Sequence, residues 1–300
     1  MEDWDDLRVF LAVARGESLS RAGRALRLDP ATVGRRVARL ERAVGTRLFT
    51  RSAQGYALTE EGQRMLYHAQ AAEIALAGAR DALHSGPGGL RGQVRIGAPD
   101  GCANYLLPQV VAAICNENPG LEVQIIALPR VFNLSRREAD MAIAVSAPEA
   151  GRLSVQKITD YRLHLAAARS YLDRHGPIRS MADLRGHRMI GYIPDMIFDK
   201  ELDYLAELGA QTVGLASNSV SVQLNWVRQG AGVAVVHDFA LPAAPGVIRV
   251  LPEEFSLTRA FWLVRHGDDR RLGRLNRFTE RLTSGLRREL ARLEAQLPGR

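Results

Sequence analysis

The chain has 300 residues, enough for two ordinary domains with real cores. Its hydrophobic fraction of 46% and charged fraction of 24% belong to a soluble globular protein, and no window approaches the ~18 uncharged apolar residues of a membrane span. The acidic start MEDWDDLRVF is unlike a secretion signal, and two cysteines, Cys102 and Cys115, are too few for a disulfide framework and match no zinc spacing, so a cytoplasmic protein is expected. Net charge is +7, carried largely by arginine, and its distribution is uneven. From Arg21 to Arg51 nine arginines face two acids, Asp29 and Glu41. From Arg270 to Arg300 nine face three.

Trp4, Leu7, Phe10, Leu11 and Ala14 recur at helical steps, and Gly16 ends that helix. Ser18 or Ser20 then caps a short second helix with Ala22, Ala25 and Leu26 inward, and small residues at 22, 23 and 25 permit a close crossing. Asp29-Pro30 is a strong start signal for a third helix, because Asp caps free N–H groups and Pro suits the first position. Val33, Val37, Leu40 and Val44 form its inner stripe, and Gly45 closes it. Thr32, Arg35, Arg39 and Arg42 lie on the far side, with Arg36 at the margin. A helix with one anchored stripe and one basic stripe free of acids fits the major groove of DNA. The pattern predicts a helix-turn-helix rather than an ordinary solvated face, which mixes signs. Leu48 to Arg51 and Tyr56 to Thr59 predict two short strands of a wing, with Arg51 placed for a backbone phosphate.

Thr59 caps a further helix running to about His84, with Glu60 and Glu61 in its first turn. Met65, Ala69, Ala72, Leu76, Ala79 and Leu83 follow a heptad seam. Such a stripe can rest on a neighbouring domain. Its place between domains, before the breaker at residues 85–89, favours a second copy as partner.

The segment SLSRAGRALRLDPATVGRRVARLERAVGTRLFTRSAQGYALTEEG resembles the LysR-type transcriptional regulators. EADMAIAV, DLRGHRMIGYI, SNSVSVQLNWVRQGAGVAVV and AFWLVRHGDDRR resemble later parts of the same family. The resemblance implies a winged helix-turn-helix over residues 1–59, a linker helix over 60–84, a hinge over 85–92 and an effector-binding domain over 93–300, α/β in class and like periplasmic binding proteins. It implies a homodimer or homotetramer on promoter DNA, a small-molecule co-inducer and contact with RNA polymerase. DNA-contact candidates are Ser20, Arg21, Pro30, Ala31, Thr32, Gly34, Arg35, Arg36, Arg39 and Arg51. The family often has Gln or His where Pro30 stands and Ser where Gly34 stands, so no operator sequence carries over.

The carboxy-terminal two hundred residues alternate strands and helices, which predicts a parallel sheet with helices on both faces, in two halves around a cleft. Strands are expected at 92–98, 121–128, 139–145, 161–168, 188–193, 211–217, 232–238 and 260–266, with helices at 103–116, briefly after 128, near 170, from Asp199, from Ser219 and from Arg270, the last with Leu272, Leu275, Phe278, Leu282 and Leu286 on one face and its arginines on the solvated side. Ligands bind beyond the carboxyl ends of such strands. That rule selects Pro99, Asp100, Gly101 and Cys102, then Leu128, Pro129 and Arg130, Ser146, Ile193, Pro194 and Asp195, Ser217, Asn218 and Ser219, and His237. Asp100 would repel a carboxylate unless Arg130 offsets it, and a zwitterionic or cationic effector, or none, is equally open. Cys102 at a helix start is a candidate for a lowered pKa. No G-x-S-x-G, H-E-x-x-H, P-loop or complete G-x-G-x-x-G occurs, so an enzyme is not expected, and no metal or cofactor is expected beyond the unidentified effector.

Overall fold

The computed structural model describes residues 3–297 except 53–54, 85–88, 128–138, 149–152, 209–212, 268 and 270–271, and within its elements it leaves the side chains of 52, 74, 77 and 80–84 aside. The chain separates into two compact units, one built on Met1–Gly88 and the other on the residues that follow.

The first unit opens with α1 (Trp4–Gly16), α2 (Leu19–Leu26) and α3 (Pro30–Val44). Val9, Phe10, Leu11 and Val13 of α1 meet Ala22 of α2 and Val33, Val37 and Leu40 of α3 in one buried cluster. Ser18, not Ser20, caps α2. Ala25 is exposed, whereas Gly23 is buried, and a Cβ there would meet the Leu28 carbonyl at 2.5 Å. The tight turn between α2 and α3 therefore depends on Gly23 rather than on the alanine expected to line the crossing. The wing is β1 (Phe49–Ser52) paired antiparallel with β2 (Gly55–Leu58). Gly55, at φ 128°, lets Tyr56 N–H reach the Glu17 carbonyl at 2.9 Å, and this docks the wing on the end of α1. Next comes α4 (Glu60–His84), whose Gly62 N–H donates to Thr59 Oγ1.

The second unit contains β3 (Gly92–Ala98), α5 (Asp100–Tyr105), α6 (Leu107–Glu117), β4 (Leu121–Ala127) and β5 (Met141–Ala144). It continues with β6 (Leu153–Ala168), α7 (Arg169–His175), β7 (Met189–Gly191), α8 (Tyr204–Leu208), β8 (Leu215–Ala216) and α9 (Val220–Arg228). It ends with β9 (Val233–His237), β10 (Val247–Arg249), β11 (Ser256–His266) and α10 (Gly273–Glu294). The helix expected over 103–116 is two helices, broken at Leu106 before Pro108.

These strands form one mixed sheet in the order β4-β3-β5-β11-β6-β9-β7-β8, with β10 on β6. The expectation of a parallel sheet holds only inside each half, where β3 pairs with β4 and β5, and β7 with β8 and β9. Between the halves run β6 and β11, antiparallel from Ser256–His164 to His266–Leu153 with one register shift at Phe261/Trp262. Strands this long cross from one half to the other, so the halves are stitched by hydrogen bonds rather than by loops. Leu275, Phe278, Leu282, Leu286 and Leu290 seat α10 on this body. Its arginines are not simply solvated: Arg287 Nε donates to the Ile158 carbonyl at 2.7 Å, and Arg274 caps the Arg91 and Gln93 carbonyls.

Candidate nucleic-acid interface and effector cleft

Asp29 holds the start of α3. Its Oδ1 accepts from Ala31 and Thr32 N–H at 2.9 and 3.0 Å, and Thr32 Oγ1 donates to its other oxygen. These bonds, led by the Thr32 hydroxyl, hold the Asp29 carboxyl below the usual carboxylate range. Arg35 Nη2 donates back to Thr32 Oγ1 at 2.8 Å, so the exposed first turn is a preset chain of Asp29, Thr32 and Arg35. Pro30, Ala31, Ser20, Arg21 and Arg51 are exposed. Arg51 lies over the Tyr56 ring at 5.4 Å. Gly34 is half-buried, and a Cβ there would come within 3.3 Å of Leu19.

The expectation of an acid-free basic stripe fails for Arg36 and Arg39. Arg36 Nη1 bonds Asp5 at 3.0 Å, and Arg39 pairs with Asp6 at 2.5 Å and Asp3 at 2.7 Å. The acids come from α1, some thirty residues away in sequence, and reach across because the apolar stripes draw α1 and α3 together. Asp6 is only 5% exposed while Arg39 remains 53% exposed, so the pair lies at the edge of the core. The Arg36 bond, then the Arg8 charge, lowers the Asp5 carboxyl, and Asp6 raises Arg39. Of the arginines on this helix, Arg35 and Arg42 are exposed and make no bond to a carboxylate among the described residues. Glu41, the one acid of α3, is spent on the wing, accepting from Leu48 and Phe49 N–H.

The heptad seam is corrected at its lower end. Ala69 is fully buried and Met65 half-buried against the core of the first unit, and Arg15 pairs with Glu73 at 2.5 Å. The stripe there faces its own domain. Ala72 is half-buried, Leu76 is 44% exposed and Ala79 is exposed, while the Leu83 side chain lies outside the described residues.

In the second unit the structure brings Pro99, Asp100, Gly101, Cys102, Asn218 and His237 to one small space. Ser219 caps α9 through Val222 N–H and donates its hydroxyl to Asp100 Oδ2 at 3.1 Å. Ser221 adds its N–H and hydroxyl to the same oxygen, each at 2.9 Å. A carboxylate from the first half thus sits on the helix N-terminus of the second, where the dipole and free N–H groups favour negative charge. Ser217 Oγ accepts from Ser219 N–H. Ser146 lies apart and donates to Asp199, which also joins the halves. Ile193, Pro194 and exposed Asp195 do not line this space, and Leu128, Pro129 and Arg130 lie outside the described residues.

The centre is nearly closed, with a volume of about 20 Å³. Aromatic rings fill it, and among them the strand-end rule selects only His237. Tyr161 stacks on Phe261 at 4.2 Å and on His237 at 5.4 Å, with Phe239 edge-on at 5.8 Å. Burial lowers the His237 pKa to about 4, so the imidazole is neutral here, although Asp100 and Asp238 pull the other way. Cys102 is fully buried, and burial pushes its thiol far up, opposite to the lowered pKa expected at a helix start. Among the described residues no group of three or more His, Cys, Asp or Glu could hold a metal ion, and no helix is long and apolar enough to cross a membrane.

Residues 4–63 match the bacterial regulatory helix-turn-helix protein, lysR family, and residues 87–287 match the LysR substrate binding domain. The chain is 26% identical to the probable HTH-type transcriptional regulator LtrA of Klebsiella pneumoniae, over 88% of each protein. In fold it is similar to a full-length OxyR variant from Pseudomonas aeruginosa, with a TM-score of 0.71, 19% identity, and 96% and 98% of the two chains covered. It is likewise similar to full-length LysG from Corynebacterium glutamicum with bound effector Arg, with a TM-score of 0.63, 19% identity, and 95% and 98% covered.

Proposed function

The chain belongs to the LysR family of DNA-binding transcriptional regulators, with an effector-binding domain and no enzymatic role, and from that premise we propose how it is organised and read out. Residues 1–59 hold promoter DNA, 60–84 join two copies and 93–300 respond to a small co-inducer; of the hinge expected over 85–92, residues 85–88 lie outside the described residues. A homodimer, or a pair of them, sets two α3 helices into successive major grooves. The exposed Leu76 and Ala79 meet a partner helix, since Met65 and Ala69 are already engaged at home. Work on promoter DNA places the protein in the cytoplasm, within reach of RNA polymerase. A small solute shifts the balance between two arrangements by its differential affinity, typically ~1–3 kcal/mol.

The observation that carries this reading is the exposed first turn of α3, where Asp29 and Thr32 preset the Arg35 guanidinium. Mobility of promoter fragments at graded salt tests it. One fragment should be retained preferentially, with a steep salt slope. Arg35→Ala should weaken that specific complex by roughly 1–3 kcal/mol, about 5- to 150-fold, if it pairs with a base edge. An unchanged affinity removes Arg35 from the reading face, and a chain that retains no fragment overturns the reading.

A further inference from the structure

Past the carboxyl end of β7 the chain enters no long helix. It makes two 3-10 turns, Pro194–Met196 and Lys200–Leu202, and then the five-residue α8. Elements this short cover the sheet edge incompletely. They leave a cavity of about 460 Å³ between β7, α8, α9 and β9, walled mainly by Ile190, Ile197, Leu205, Val213 and Val235. That volume is in the range of small-ligand sites, whereas the 20 Å³ of the central cleft holds about one water. Tyr192 and Leu202 line both spaces, so those two side chains form the shared wall. Of the strand-end candidates among the described residues, only Pro194 lines the larger cavity.

Its chemistry is one-sided. Asp203 is the sole lining side chain that is charged at neutral pH among the described residues. Burial pushes the Tyr192 and Tyr204 hydroxyls up, so both keep their protons. The Gln223 amide is committed to the Ser217 carbonyl at 2.7 Å. Arg259 is held by Glu201 at 2.8 Å and Glu207 at 3.1 Å. The donors at the start of α9, which would suit an anion, already hold Asp100. An entering carboxylate would therefore lose its hydration and meet the Asp203 charge, with only neutral tyrosine hydroxyls to donate to it.

We propose that this cavity binds a compact, largely apolar solute that is neutral or carries an amine, and that it rejects carboxylates. The proposal rests on the reading that the second unit senses a small molecule. A ligand here presses on Tyr192 and Leu202 and so on the aromatic packing between the two halves.

Thermal unfolding of the full chain with three indoles of similar size tests this. Tryptamine and indole-3-ethanol, at millimolar concentration, should each raise the melting temperature by about 2 °C or more, and indole-3-acetate should not. Asp203→Asn keeps a good cap on α8, whose Ala206 N–H bonds Asp203, and should remove the advantage of the amine over the alcohol and ease the exclusion of the acetate. Ala206→Phe, at an exposed rim position, should abolish both shifts. No shift from either of the first two compounds, an equal shift from the acetate, or full shifts in Ala206→Phe would each overturn the proposal. DNA retention at graded salt is measured without any indole, so either reading can fail while the other stands.

Discussion

Both units answer a concentration of charge with groups of their own, but at different depths. On α3, Arg36 and Arg39 meet the carboxylates of Asp3, Asp5 and Asp6 at the surface, where Arg39 stays half exposed. On α9, Ser219 and Ser221 meet the carboxylate of Asp100 in a part-buried contact between two halves of one domain. Surface ion pairs contribute little and are screened by salt, so a phosphate can replace an acid there at small cost. A buried hydrogen-bonded carboxylate cannot leave without stranding its donors. The first contact is exchangeable and the second is structural.

Acid should break the buried side first. His237 has a folded pKa of about 4, below the unfolded value of 6.5. Its contribution to stability is complete above pH 6.5 and is lost as pH falls toward 4, to a total on the order of 3 kcal/mol. Denaturant midpoints across that range should fall in the wild type and fall less in His237→Gln. Equal slopes would put the acid sensitivity elsewhere. At neutral pH, Asp100→Ala strands two hydroxyls and one N–H and should cost about 2–3 kcal/mol, read as a lower urea midpoint for the second unit. A loss under 0.5 kcal/mol would make this contact as dispensable as the surface one.

On the exchangeable side the effects are smaller and have the opposite sign for binding. Replacing Asp3 and Asp5 with Asn frees Arg36 and part of Arg39. Affinity for random duplex DNA should then rise a few-fold at low salt, with the log–log salt slope steeper by up to about 1 per guanidinium freed. An unchanged slope would mean that these acids already stand aside when DNA binds. Smallest of all, Arg51→Ala on the wing should weaken every sequence alike and flatten the slope by about 0.9. A loss confined to one operator would instead place Arg51 on a base.

The sequence is most legible where local chemistry decides. Asp29-Pro30, the Val33–Val37–Leu40 stripe and Gly45 delimit α3 unaided, and β3 falls on residues 92–98 as its pattern indicates. Strand ends brought Pro99 to Cys102, Asn218 and His237 together because parallel strands put their carboxyl ends on one edge. What escaped is set by distant partners. The spacing of Met65 and Ala69 shows a stripe but not which surface it meets. Asp5 and Asp6 look like ordinary first-turn acids of α1 until α3 is laid beside them. Tyr161 and Phe261 lie inside strands rather than at their ends, so nothing marks them as the plug of the cleft. The antiparallel run of β6 and β11 joins residues a hundred positions apart, and alternation of strand and helix does not encode it.

That paired run has a mechanical consequence. Door-like swinging needs a slack joint, and here the two lobes share a hydrogen-bonded ribbon that behaves as a torsion bar. Motion must be taken up as twist along it, and the irregularity at Phe261/Trp262, where the ladder is already out of step, is where it yields most readily. On the function proposed above, a ligand's signal would leave this domain as a small rotation with an elastic return.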